Sequence, residues 1–195
     1  DGTDDTLNLT LGHTGGAAFT IASADFDDHE TINIVNSAVA NAVTITSFDA
    51  DNASTLNFSG NRGITITLEA GTTNVTTIDA SGFTGIGALT MTAGRGSLSV
   101  GQTITGGGYN DTLYGATYGD TIKGGAGNDT IYGGASADTI HGDAGNDTLY
   151  GQGGIDTIEA GAGNDTIMVT AAAQFEDLVS AEAVDGGDGT DSLTF

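Results

Sequence analysis

The chain has 195 residues, with 3 Lys and Arg against 26 Asp and Glu, for a formal charge of -23. That balance excludes nucleic-acid binding and attraction to anionic membranes, both of which need Lys and Arg, and no apolar run approaches the roughly 20 residues of a membrane helix. With 33 Gly and no Cys, disulfides, thiolate zinc sites and cysteine nucleophiles are excluded; what remains is a disordered acidic chain, or a fold with a thin core and an external stabiliser.

Residues 1–105 read as short strands. Alternating Thr-aliphatic runs fall at 6–11, 31–35, 43–46, 56–58, 64–68, 75–78, 88–92, 98–100 and 103–105, separated by Gly, Asn, Asp and Ser. Their spacing of about 9–12 residues is too irregular for a strict repeat, and a β-helix is expected. A separate β-sandwich over 1–95 is the alternative. Asp25, Asp27, Asp28 and Glu30 form an acidic loop that is either hydrated or a further cation site. HETIN at 29–33 resembles the start of a zinc-protease helix motif, but Asn33 stands where the second His is required. The run also alternates like a strand, so a solvated turn is expected.

From residue 106 a nine-residue period takes over. Asp stands at 111, 120, 129, 138, 147, 156 and 165, each followed by Thr and then by Leu or Ile. Gly opens six of the seven units and Ala160 the seventh; the clearest unit is GGAGNDTIY at 124–132. Each Thr-aliphatic-x triplet offers one inward apolar side chain, as a very short strand does, and the Gly-rich remainder suits a tight turn. One unit is then half a coil, and 18 residues complete a turn of a flattened parallel solenoid. QTIT at 102–105 occupies the Asp-Thr-aliphatic register one unit upstream, so the core is expected to cross the junction without a linker.

One aliphatic per nine residues cannot by itself offset the backbone entropy of ordering them. An Asp in every turn, stacked on its like, adds repulsion. A divalent cation between successive turns removes that repulsion. Carboxylates and backbone carbonyls in a flexible loop are hard oxygen donors, which suit calcium better than zinc or magnesium.

The units alternate. Those opening at 106, 124, 142 and 160 carry Asn110, Asn128, Asn146 and Asn164 before Asp and end in Tyr114, Tyr132, Tyr150 and Met168. The others have Gly119, Ala137 and Ile155 before Asp and end in Lys123, His141 and Glu159. Alternate units should therefore stack on opposite edges, one regular and one looser, with the better sites on the regular row. Tyr109, Tyr118 and Ser136 depart from the motif in their own turns. The tyrosines are expected to form a structural aromatic ladder, with a glycan-binding ladder as the alternative; His141 is expected to be a cross-strand surface residue.

Beyond residue 168 comes an excursion, 169–185, in which Phe175, Leu178 and Val179 have helical spacing. A last unit, GGDGTDSLT at 186–194, is expected to stack on 151–156. That arrangement leaves three gaps between Asp neighbours on each row, hence about six calcium ions. The chain begins and ends in similar DGTD motifs, at 1–4 and 188–191, as an excerpt of a longer protein would.

Residues 106–168 and 186–194 resemble the RTX (repeat-in-toxin) proteins, whose repeat is G-G-x-G-x-D-x-U-x. The resemblance implies a calcium-binding parallel β-roll, type I secretion and calcium-triggered folding outside a bacterial cell. TTIDASGFTG at 76–85, followed by LTMT at 89–92, looks like the Thr-rich segments that precede RTX arrays in bacterial surface-layer proteins.

The expected fold is an all-β parallel β-helix or β-roll solenoid: a calcium-poor segment 1–105, a seven-repeat roll 106–168, the excursion 169–185 and a further repeat 186–195, all in one elongated domain. The metal residues expected are Asp111, Asp120, Asp129, Asp138, Asp147, Asp156, Asp165 and Asp191. With them go Gly107, Gly125, Gly127, Asn128, Gly134, Gly145, Asn146, Gly154, Gly161, Gly163, Asn164, Gly187 and Gly189. The expected role is structural and non-enzymatic, in a secreted surface-layer protein that associates with itself into a lattice. An adhesin module or the tail of a secreted enzyme or toxin are the alternatives.

Overall fold

A computed structural model describes residues 5–11, 19–22, 24–26, 29–37, 43–49, 53–68, 74–92, 100–168 and 183–194. The elements are strands throughout. They are β1 (Thr6–Leu11), β2 (Phe19–Ile21), β3 (Ala24–Asp25), β4 (Thr31–Asn36), β5 (Val43–Asp49), β6 (Thr55–Leu68), β7 (Thr77–Thr92) and β8 (Thr103–Thr105). They continue as β9 (Thr112–Tyr114), β10 (Thr121–Ala126), β11 (Thr130–Gly134), β12 (Thr139–Ala144), β13 (Thr148–Gln152), β14 (Thr157–Glu159), β15 (Thr166–Met168), β16 (Ala183–Asp185) and β17 (Ser192–Thr194).

All 17 belong to one sheet and pair in parallel. An antiparallel sandwich over 1–95 is thereby excluded, and the solenoid stands. One face stacks β1, β4, β6, β7, β8, β10, β12, β14 and β16. The other stacks β2, β5, the second halves of β6 and β7, then β9, β11, β13, β15 and β17.

The coil changes size along the axis. Thr6 pairs with Thr31, Thr31 with Thr55, Thr55 with Thr77 and Thr77 with Thr103, offsets of 25, 24, 22 and 26. From Thr103 the offset is 18: Thr103 to Thr121, then Thr139, then Thr157. The wide coils afford two inward side chains per strand, as Ile32 and Ile34 in β4, while the narrow ones have one. Ile104, Leu113, Ile122, Ile131, Ile140 and Leu149 are fully buried in a single file from each side. Thr stands outside at matching positions on both faces because a β-branched side chain packs well beside its in-register copy.

Several expectations are corrected. The runs 56–58 and 64–68 fuse into β6, and the end of the run 75–78, from Thr77, joins 88–92 in β7; the two strands pair with shifts of register instead of breaking. Two short strands, β2 and β3, lack the alternation that would have marked them. Val100 is an exposed bend; the rest of that run lies outside the described residues, as does the helix expected around Phe175, Leu178 and Val179.

The last unit does not stack on 151–156. β17 pairs with β15, Ser192 opposite Thr166 and Leu193 opposite Ile167, and the Asp165 amide donates to Asp191 Oδ1 at 3.0 Å. β16 pairs with β14, Thr157 opposite Ala183. Both offsets are 26, one 18-residue coil plus eight, so the extra chain is confined to one turn and the strand at 183–185 belongs to the solenoid.

Outside the roll, Tyr114, Tyr132 and Tyr150 stack as a ladder, with centroids 4.4 and 4.5 Å apart and planes within 9° and 12°. On the opposite face Lys123, His141 and Glu159 are in register, and His141 Nδ1 lies 3.0 Å from Glu159 Oε2. HETIN runs into β4, a strand, and Glu30 Oε2 accepts the Asp5 amide at 2.7 Å.

Candidate metal centre

The repeat Asp residues leave the strand just before its Thr and turn inward at the coil edge. Asp111, Asp129, Asp147 and Asp165 are each 1% exposed, and Asp120, Asp138 and Asp156 no more than 3%; Asp191, in the last coil, is exposed. Each carboxylate reaches back one coil. Oδ1 of Asp129, Asp147 and Asp165 accepts the amide of Asp111, Asp129 and Asp147 at 2.7–2.8 Å. On the other edge, Oδ1 of Asp120, Asp138 and Asp156 accepts the amide of Gln102, Asp120 and Asp138 at 2.7–3.0 Å. Gln102 thus stands at the head of this row as a neutral member, its Nε2 donating to the Val75 carbonyl at 3.1 Å.

The second oxygen is treated differently. In Asp111 and Asp120, Oδ2 closes its own turn by accepting from Gly107 and Ala116. In Asp129, Asp138, Asp147 and Asp165, Oδ2 is buried without a hydrogen-bond partner. The glycine that opens six of the seven units, Ala160 standing in the seventh, has a local reason here. A methyl group on Gly124 would collide with Asp129 Oδ2 and the Gly142 carbonyl oxygen, and one on Gly133 with Asp138 Oδ2 and the Gly151 carbonyl oxygen. These glycines are required by close approach, not by backbone conformation. They leave a small space bordered by a carboxylate oxygen of one coil and a carbonyl oxygen of the next.

Positions two and four of the unit are where the backbone turns left-handed. Positive φ occurs in pairs at Gly125/Gly127, Gly134/Ser136, Asp143/Gly145, Gln152/Gly154, Gly161/Gly163 and Gly187/Gly189. Three are not glycine: Ser136, Asp143 and Gln152 hold φ of 70–76°, a conformation that L-residues adopt at a cost. Gly107 lies in one of the two first turns, 106–110 and 115–119, which lack the pair. Those are the turns of Tyr109 and Tyr118.

The two rows differ in one further respect. Asn128 donates its amide to Asn110 Oδ1, Asn146 to Asn128 Oδ1 and Asn164 to Asn146 Oδ1, at 2.7–2.8 Å, and Thr190 to Asn164 Oδ1 at 2.9 Å. This side-chain spine ties each regular turn to the next. Gly119, Ala137 and Ile155 hold the equivalent places on the other row and have no side-chain oxygen to offer.

Electrostatics make six of these carboxylates reluctant anions. Burial pushes Asp129 up to about 7, with Asp111, Asp147 and Asp143 adding repulsion. It pushes Asp138 to about 8, with Asp120 and Asp156 contributing. Asp111 and Asp147 rise to about 6, and Asp120 and Asp156 are raised as well, in each case mainly by burial and against the lowering effect of the backbone amides. An ionised row one strand spacing apart needs a counter-charge.

Asp143 was not among the expected metal residues. It replaces the second glycine of its unit, and its charge acts on both Asp129 and Asp147; an acid at a glycine position was the available signal.

A calcium ion fits this donor set. The partnerless Oδ2 atoms of Asp129, Asp138, Asp147 and Asp165 are hard oxygens already stripped of water. Among the described residues no three acidic or histidine side chains converge; the backbone carbonyls of the turns are the other hard oxygens at hand. No curated protein and no solved structure matches the chain. A family model does: residues 101–117, 114–149 and 150–168 match the RTX calcium-binding nonapeptide repeat (4 copies). The repeats of 101–168 are therefore RTX repeats, and repeats of this kind make a calcium-binding β-roll module.

Proposed function

We propose that this chain is a non-enzymatic structural segment of a secreted bacterial surface-layer protein, folding and assembling as calcium binds. The observation that carries the calcium-linked part is the row of buried Asp carboxylates with a partnerless oxygen. Calcium that binds only the folded roll stabilises it by mass action. Stacking of Asp165 on Asp191 moves one expected gap between rows: four lie on the regular row (111/129, 129/147, 147/165, 165/191) and two on the other (120/138, 138/156). The ion count stays at six, and six ions of +2 would reduce the formal charge of -23 to about -11.

RTX repeat proteins are typically secreted by bacteria, which supports an extracellular setting where calcium is abundant. The chain would cross in the unfolded state through a type I system. A scaffold role at the cell surface is supported by side chains that repeat coil after coil on both faces, and by the Thr-rich segment at 76–92 ahead of the roll.

Chelator titration followed by circular dichroism tests the calcium part; a β signal indifferent to chelation refutes it. Electron microscopy of the calcium-loaded protein tests the lattice. Ordered two-dimensional arrays are expected, and a monodisperse particle refutes lattice formation by this segment.

A further inference from the structure

Tyr114, Tyr132 and Tyr150 are held in contact by the backbone register, Tyr132 pairing with Tyr114 on one side and Tyr150 on the other. Their rings lie 4.4 and 4.5 Å apart and nearly parallel. All three are half-buried; both faces of Tyr132 and one face each of Tyr114 and Tyr150 are taken up by the stack. That arrangement leaves little ring face for a sugar. Ring centroids are 4.4 and 4.5 Å apart and neighbouring hydroxyls are within hydrogen-bonding reach, so the carbons beside each phenol oxygen come near those of the next ring.

We propose that this column is an oxidative cross-linking site, at which a haem-peroxidase-class oxidant with hydrogen peroxide joins Tyr132 to Tyr114 or to Tyr150. Each of two neighbouring phenols loses one electron and one proton to become a phenoxyl radical. The radicals couple through a carbon–carbon bond between ortho positions. Each coupled carbon then gives up its hydrogen as a proton, which returns to the ring oxygen and restores the phenol. Overall, two ring C–H bonds are exchanged for one C–C bond, and hydrogen peroxide takes the two electrons and two protons to give two waters.

Pre-assembly is what makes the site selective. Free tyrosyl radicals must find a partner by diffusion, whereas here the partner ring is already in contact, which raises its effective concentration greatly. Tyr109 and Tyr118 are exposed at the first turns, 39% and 47%, and supply an internal comparison for links between chains. The product ties coils 18 residues apart and constrains the unfolded chain as a disulfide does. This inference uses the fold alone and not the identity of the ion.

The test is to oxidise the dilute full chain, in calcium, with peroxidase and hydrogen peroxide. Dityrosine fluorescence is read and linked peptides are mapped by mass spectrometry. Every within-chain link should contain Tyr132. Tyr132→Phe keeps a ring in the stack and should abolish within-chain dityrosine. Tyr114→Phe should leave only the 132–150 link, and Tyr150→Phe only the 114–132 link; these two variants decide the matter even if Tyr132→Phe folds poorly. Undiminished within-chain yield in folded Tyr132→Phe, or links formed only between chains through Tyr109 or Tyr118, would overturn the proposal.

Discussion

Asp138→Asn should change the stability of the roll in opposite directions with and without calcium. Asp138 is buried, its Oδ1 accepts the Asp120 amide at 2.7 Å and its Oδ2 has no partner. Asn keeps the first contact, carries no charge, and turns its amide toward the space that the Gly151 carbonyl also borders. In chelator at pH 8, wild-type folding must bring a carboxylate from its ordinary range to a site where burial holds it near 8. A rise from 3.8 to about 8 corresponds to about 5 kcal/mol, and screening at the turn roughly halves this, to on the order of 2–3 kcal/mol. The variant should recover that amount in chelator. In saturating calcium it should instead be less stable than wild type, because an anionic ligand is gone. Urea unfolding followed by circular dichroism, run in both conditions, measures the two differences. A shift of the same sign in both would refute the assignment of Asp138 as a buried charge that calcium compensates.

The chelated roll should lose stability as pH rises. Asp129 and Asp138 have folded values near 7 and 8, above the unfolded 3.8, so the folded state binds more protons between these limits. The stability is fully present below about pH 4 and is lost through pH 7–8; chelated unfolding midpoints at pH 5 and 8 check the sign, and a rise refutes it. Ile140→Ala removes three carbons from a fully buried position in register with Ile122 and Ile158. With no second core layer to collapse inward, the loss should reach about 3–4 kcal/mol, against less than about 1 kcal/mol for Leu193→Ala, which is 47% exposed; equal urea shifts would contradict the single-file core. Asp143→Asn keeps a residue tolerant of φ near 70° while removing repulsion on Asp129 and Asp147. It should stabilise the chelated roll by roughly 0.5–1 kcal/mol and weaken calcium binding several-fold in a titration; an unchanged calcium midpoint would leave Asp143 outside the site.

The two rows should also be unequal, for a reason clearer in three dimensions than in the motif. Alternation of Asn with Gly, Ala and Ile before Asp marks one row as regular. The structure shows what that regularity does: Asn128, Asn146 and Asn164 lock each turn to the preceding one through backbone amides. Turns on the other row lack that spine and include Ser136 and Gln152 in left-handed conformation.

Repetition is what made most of the site legible. A residue type recurring every nine positions must occupy the same place in successive half-coils, so the Asp column, the aliphatic file and the tyrosine and Lys123-His141-Glu159 columns follow from spacing alone. The first hundred residues were readable as strands but not as coils, because offsets of 22–26 obey no fixed motif and only hydrogen-bond register defines them. The glycines that open most units were expected to serve the turn, yet Gly124 and Gly133 make room for the Asp oxygen of their own turn and for a carbonyl of the next coil, a contact that chain order alone does not reveal.

What sequence alone determined, then, is the periodic part: the solenoid class, the 18-residue coil of the roll, the inward Asp and the chemistry of an oxygen-ligated ion. Tertiary structure decided how the chain resumes its stack after the excursion, placing Gly186–Asp191 on 160–165, and how strand runs fuse across a coil edge. It also decided that Asp carboxylates bond to the amides of the preceding coil. Periodicity is local information carried by every unit. Which coil edge receives an insertion, and which atoms meet across a stack, depends on contacts that form only when successive coils are laid on one another.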